Sequence, residues 1–297
     1  MTSRFTPITP RIGAIARIPR DELLDPRFGE ECIAALERYG MLVFPDFGLT
    51  DEEQVAIARN MGGLLPQQGV GDARGARENI LRVSFDPAEN TAQSGVPVME
   101  YLKASLTWHI DDTFAVSDGF KASQTASAQL LSARFIPPEG AQTEWCSTCS
   151  AFEDLPRAEQ ERLEDLSVVH SAEALLRAIN PDADQEERDL WIKPSTSKEF
   201  PLVSQLESGR KGLIIGHTAD HIVGMSKPES DVLIRRLNAH ATQAKYVYRH
   251  DWKPRDTVMW HNFGTLHQGI PYDPKSGRRL HRTSVFRPHK ERLVTAA

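Results

Sequence analysis

A chain of 297 residues with 40% hydrophobic and 26% charged residues can bury a large core, and the arithmetic excludes a disordered chain, a disulfide-stapled miniprotein, a collagen and a coiled-coil rod. Thirty-five basic against forty-one acidic residues give a formal charge of -6, so no chain-wide basic field exists to hold a nucleic-acid backbone. Cys32, Cys146 and Cys149 are too few for a disulfide framework, and no run reaches about 18 apolar residues, so the expectation is a cytoplasmic protein with no membrane segment.

In chain order, FGEECIAALERY (28–39) spaces its apolar residues as one face of a helix, Gly40 stops it, and MLVFP (41–45) reads as a short buried strand. LTDEEQVAIARNMG is a second helix, with Thr50 as N-cap, Glu53 completing a capping box and Gly62 past its end. Residues 64–104 are rich in Gly, Asn and Pro and predict an active-site loop, with ILRVSF (80–85) as its one strand-like piece. SAQLLSARF (127–135) predicts a strand, 150–167 a helix, VVH (168–170) the opening of another segment and 171–179 a short helix. NPDADQEERD (180–189) reads as an exposed acidic loop. GRKGLIIG (209–216) is a turn into a strand, 228–241 a helix, and AKYVYRHDW (244–252), DTVMWHN (256–262) and LHRTSVFRP (280–288) are strands. Short strands with helical support and no internal repeat predict one domain over 1–297, built on a barrel or sandwich.

No dinucleotide fingerprint, P-loop, HExxH or G-x-S-x-G element occurs. Trp108-His109-Ile110-Asp111 does occur. In extended chain, positions 109 and 111 share a face, so an imidazole and a carboxylate can reach one ion. His267, after the strand DTVMWHN, is the best third candidate. Two histidines and one carboxylate leave three positions of an octahedral ion open, the arrangement of a non-haem Fe(II) oxygenase. Taken alone, His-x-Asp also fits a satisfied structural pair. Arg278 and Arg282 follow in GRRLHRTS. Two guanidiniums sharing a strand face fit an organic diacid, and equally a basic surface turn. Cys146-x-x-Cys149 reads as core rather than as half a zinc or redox site, since no second cysteine pair exists.

Five elements in order resemble the Fe(II)/2-oxoglutarate-dependent dioxygenases of the taurine and 2,4-dichlorophenoxyacetate dioxygenase group: LTDEEQVAIARNMGGLLP, WHIDDTF, GAQTEWCSTCSAFEDLP, the pair GRKGLIIGHTADHIVGM and HATQAKYVYRHDWKPRDTVMWHN, and LHQG…YDPKSGRRLHRTS. The resemblance implies a mainly β fold with flanking helices, a double-stranded β-helix or jelly roll. It implies Fe(II) on His109, Asp111 and His267, with O2 and 2-oxoglutarate as co-substrates. Arg278 and Thr143 would hold the far carboxylate of 2-oxoglutarate, and Arg282 would lie near the co-substrate or the acid of the primary substrate. The implied reaction oxygenates a small, anionic organic acid, such as an aryloxyalkanoate or a sulfonate, and releases succinate and CO2. Substrate-contact candidates are Arg282, His221, Lys103 and Arg82; His217 and His221 are expected as pocket wall rather than as a second metal site.

The chain departs from the family pattern at Trp260-His261-Asn262, where the family has W-D-N, and at Gly140-Ala141-Gln142-Thr143, where it has G-G-D-T. Other readings are a natural-product tailoring hydroxylase, desaturase or oxidative decarboxylase of the same family, and a degenerate barrel that only binds. The sequence does not decide between a monomer and a homo-oligomer.

Overall fold

The computed structural model describes residues 4–65, 79–84, 103–113, 125–191 and 197–287. Strands β1 (Phe5–Pro7) and β2 (Ala14–Ala16) form an antiparallel pair. Helix α1 (Pro26–Tyr39) begins at Asp25, whose carboxylate accepts from Arg27 N–H, and has Pro at its first turn. It ends at Gly40, whose φ of +76° suits glycine, and β3 (Met41–Phe44) follows directly. Helix α2 (Asp51–Asn60) carries the expected capping box: Thr50 Oγ1 accepts from Glu53 N–H, and Glu53 accepts from Thr50 N–H.

Next come β4 (Leu81–Ser84), β5 (Ala128–Phe135), β6 (Thr143–Ser147), α3 (Thr148–Glu153) and α4 (Arg157–Glu164). One helix was expected over 150–167. The structure has two, because Pro156 denies the chain a backbone donor and stands just before α4, and residues from Ser167 already belong to a strand. That strand is β7 (Ser167–Ser171), followed by α5 (Ala172–Ile179) and α6 (Gln185–Trp191). The acidic stretch read as a loop therefore holds a helix, started where Asp184 accepts from Glu187 N–H. The rest is β8 (Ser197–Pro201), β9 (Val203–Gln205), β10 (Lys211–Leu213), β11 (Ala219–Ile222), α7 (Lys227–Ala241), β12 (Val247–His250), β13 (Thr257–His261), β14 (Thr265–Gly269) and β15 (Arg279–Val285).

A seven-stranded sheet runs in the order β1-β2-β3-β13-β5-β15-β4. Three smaller sheets are β12-β6-β14, β11-β7-β8 and β10-β9. One face of the large sheet packs under α1 and α2, through Phe28, Leu36 and Ile57 against Phe44, Leu130 and Met259. Its other face meets β6, where Trp145 packs among Leu131, Val258, Trp260 and Leu280. This is a mixed α/β fold of several sheets. The expected jelly roll is met only to that extent, for among the described residues no sheet closes into a barrel. The expected active-site loop at 64–104 lies mostly outside the described residues. No described helix is long and apolar enough to cross a membrane.

Candidate active site

Two segments far apart in the chain meet at His109, Asp111 and His267. His109 and His267 face each other as an isolated bridge, each N–H donating to the other's carbonyl at 3.0 Å. Asp111 follows two residues after His109, where the chain enters a turn. One ligand atom from each of His109, Asp111 and His267 lies within 4.8 Å of the others, a set that can hold a metal ion. His109 Nδ1–H donates to Thr107 O at 2.7 Å, which leaves Nε2 with its lone pair toward the cluster, 3.8 Å from Asp111 Oδ1. His267 is oriented by packing: its ring lies 4.7 Å from Trp260 and stacks on Trp145 at 15°. Its Nε2 stands 3.5 Å from Asp111 Oδ2.

Burial pushes the pKa of both imidazoles down, to the neutral form that a cation needs. The Asp111 carboxylate sits at about 2; burial raises it, and Arg282 with the two histidines more than offsets this. Arg282 Nη1 donates to Asp111 Oδ1 at 2.5 Å, while Asp111 Oδ2 is buried with no hydrogen-bond partner. An orphaned carboxylate oxygen aimed at two imidazoles fits a divalent ion.

The residue that sequence reasoning passed over is Asn262. It was visible only as the last letter of W-H-N. Its Nδ2 donates to Asp111 O and to Ala126 O, both at 2.9 Å, and its Oδ1 accepts from Asp111 N–H at 3.2 Å. The amide thus pairs both main-chain groups of the acidic ligand. The next residue, Asp112, has a φ of +59°, a conformation that a non-glycine residue holds only when its surroundings enforce it.

Arg278 lies one residue before β15, across a register shift at Arg279/Leu280, and is buried beside Thr143. Its Nη2 donates to Thr143 Oγ1 at 3.5 Å, and its guanidinium covers the Tyr272 ring at 4.8 Å. Among the described residues no carboxylate reaches it, its Nε has no partner, and burial pulls its pKa down. Trp252 Nε1–H also donates to Thr143 Oγ1, at 2.9 Å. With two donors arriving at its oxygen, the hydroxyl's own hydrogen is available to an acceptor.

The substrate-contact candidates fare differently. Lys103 is exposed and donates to Asn180 Oδ1 at 3.2 Å. Arg82 pairs in register with His281, whose imidazole turns to Asp51 on α2, so it belongs to the helix-covered face of the sheet, opposite Arg282. His221 has a 39% exposed side chain and bonds Asp220 at 2.8 Å. The histidine against the cluster is His217, its ring 5.4 Å from His109 and its Nδ1 held by Thr107 Oγ1 and Trp108 O. Cys146 and Cys149 are buried free thiols, each pushed up to about 12 by burial. Such thiols are inert core groups.

The family model described as taurine catabolism dioxygenase TauD, TfdA family matches residues 4–284. The alpha-ketoglutarate-dependent 2,4-dichlorophenoxyacetate dioxygenase of Burkholderia sp. (strain RASC) is 32% identical over 282 residues, covering 93% of this chain and 91% of that protein. The (S)-phenoxypropionate/alpha-ketoglutarate-dioxygenase of Sphingobium herbicidovorans is 31% identical over 274 residues, 91% of this chain and 90% of that protein. Among solved structures, AAD-2 in complex with Mn(II) and N-oxalylglycine superposes with a TM-score of 0.74 at 26% identity, covering 96% of this chain and 97% of that one.

Proposed function

This chain belongs to the TauD, TfdA dioxygenase family, and from that premise we propose that it oxygenates a C–H bond of a small organic acid, consuming O2 and 2-oxoglutarate and releasing succinate and CO2. An aryloxyalkanoate is the substrate class that the named relatives favour, with a sulfonate as the neighbouring choice. The observation that carries the reading is the His109, Asp111 and His267 cluster with its orphaned carboxylate oxygen, set near a buried guanidinium that no described carboxylate neutralises.

His109 Nε2, His267 Nε2 and the Asp111 carboxylate hold Fe(II), and when bound it supplies the redox chemistry that couples oxidative decarboxylation of 2-oxoglutarate to substrate oxygenation. The protein's own part is to bind, orient and exclude water. Arg278, with the Thr143 hydroxyl, takes the far carboxylate of 2-oxoglutarate; a buried cation without a counter-ion is costly until an anion arrives. Arg282 fixes one oxygen of Asp111 so that the other stays turned to the ion. Trp145 and Trp260 wall the His267 side against water. For the fold we infer one domain over 1–297, a double-stranded β-helix in which the large sheet and the β6 sheet enclose the site, with 64–104 as the active-site loop; the tryptophan core between those sheets supports this.

The test is an anaerobic titration of the protein with Fe(II) and 2-oxoglutarate, read as a visible charge-transfer band. The band forms in the wild type and is lost in His109→Ala and in Asp111→Ala. Folded, iron-loaded protein that gives no band overturns the assignment.

A further inference from the structure

The oxygenase reading needs a cation for the acid group of its substrate. Of the candidates, Lys103 is on the surface, Arg82 is on the far face of its sheet, and Arg282 is already committed to Asp111. A different cation lies inside. Along β8, exposed and buried positions alternate, and Lys198 and Phe200 are on the buried side. Lys198 is 9% exposed, and its register partner across β7 is the fully buried His170. Lysine is rarely buried this far without a role for its charge.

The Lys198 ammonium donates to Thr125 Oγ1 at 3.3 Å, and Thr125 Oγ1 donates to Asp112 O at 3.2 Å. Asp112 directly follows the carboxylate of the metal cluster, so the ammonium stands two hydrogen bonds from the ligand segment. Further polar groups line the same region: Thr113 Oγ1 bonds Thr218 Oγ1 at 3.0 Å, and Thr218 Oγ1 bonds His170 Nδ1 at 2.7 Å. Phe200 and Phe263 pack beside them, 6.4 Å ring to ring. Hydroxyls and one cation set against aromatic rings are what an arene- or alkyl-bearing acid would meet.

We propose that Lys198 recognises the acid group of the primary substrate, a carboxylate or sulfonate that takes the ammonium beside the Thr125 hydroxyl. The inference rests on the oxygenase reading and names the specificity-determining residue it lacks.

The probes are phenoxyacetate and (S)-2-phenoxypropionate, each beside its neutral amide, assayed by substrate-stimulated succinate release with Fe(II) and 2-oxoglutarate saturating. In the wild type each acid has a KM at least tenfold below its amide. In Lys198→Met, which matches lysine in length, the acid KM rises at least tenfold, the amide KM moves less than twofold, and the KM for 2-oxoglutarate stays level. Lys198→Arg restores most of the acid KM. Lys198→Gln, which keeps the hydrogen bond to Thr125, carries the same expectation as Lys198→Met if the latter does not fold. An unchanged acid KM in these variants, or a parallel rise for acid and amide, makes Lys198 a counter-ion of Asp112 only and overturns the proposal while the oxygenase reading stands. A wild type that forms the charge-transfer band yet prefers neither acid removes the proposal together with the organic-acid substrate. Absence of the band removes the oxygenase reading itself.

Discussion

Asn262 makes three hydrogen bonds with one amide, and two of them hold the main chain of Asp111. Removing it leaves buried backbone groups unpaired, at about 1–3 kcal/mol each, beside a residue already held at positive φ. Asn262→Ala should therefore weaken Mn(II) binding, measured by calorimetry with the ion alone, by about tenfold or more, the size of effect usual for supports of metal ligands. An unchanged affinity would show that Asp111 is held elsewhere. His170 gives a pH prediction. Burial lowers its pKa to about 4, from about 6.5 in the unfolded chain. The unfolded state then binds the extra proton as pH falls, so the contribution to stability is whole above about 6.5 and is lost between there and about 4, on the order of 3 kcal/mol. In urea unfolding, His170→Gln should show a shallower decline over that window; an identical decline would sink the idea. The metal set was legible because His-x-Asp in extended chain shares a face whatever the tertiary fold. The roles of Arg82 and His221 were not legible. Arg82 takes its face from pairing with a strand about 200 residues on, and the His217–His221 turn takes its direction from bonds to Thr107 and Trp108.

Among the elements, α2 does more than cover the sheet. Asp51 and Gln54 on its first turns hold β15 from outside: Asp51 accepts from His281 and Arg134, and Gln54 donates to His281 O. Helix and strand are therefore one unit for placing Arg278 and Arg282. Helix α1 has a comparable tie to β13, where His261 Nε2 lies 4.0 Å from Glu37 Oε1, both buried. Glu37 also accepts from the N–H groups of Glu207 and Ser208 in the β9–β10 turn. An aspartate at 261 would face a buried carboxylate. His261→Asp should destabilise the protein by about 3 kcal/mol in urea, and adding Glu37→Gln should restore most of it. A single variant as stable as the wild type would break this link. The start of α2 was readable because the capping box at Thr50 and Glu53 precedes an apolar run. The split at Pro156 was also written in the sequence, and periodicity from Leu155 to Leu166 hid it. The helix Gln185–Trp191 escaped because its polar residues carry no apolar stripe; a cap at Asp184 starts it instead.

At the scale of the whole molecule, net charge and local charge part ways. The chain is acidic overall, while Arg278 and Arg282 are buried close to its metal-binding set. Composition shows no chain-wide basic field and could not reveal these buried guanidiniums. Because those cations are shielded from solvent, the KM for 2-oxoglutarate should change less than about twofold between about 0.05 M and about 0.5 M salt. A steep rise would place the co-substrate's partners on the surface. Sheet order was beyond the sequence too, since β3, β13, β5 and β15 are neighbours in space and far apart in the chain. The bridge between His109 and His267 has the same long span, closed by two backbone hydrogen bonds. It follows that the two imidazoles cannot meet on a nascent chain until position 267 has left the ribosome and β14 has found β6. Capture of iron by the full set is thus a late event in maturation, and a polypeptide released early carries only His109 and Asp111 of the three ligands.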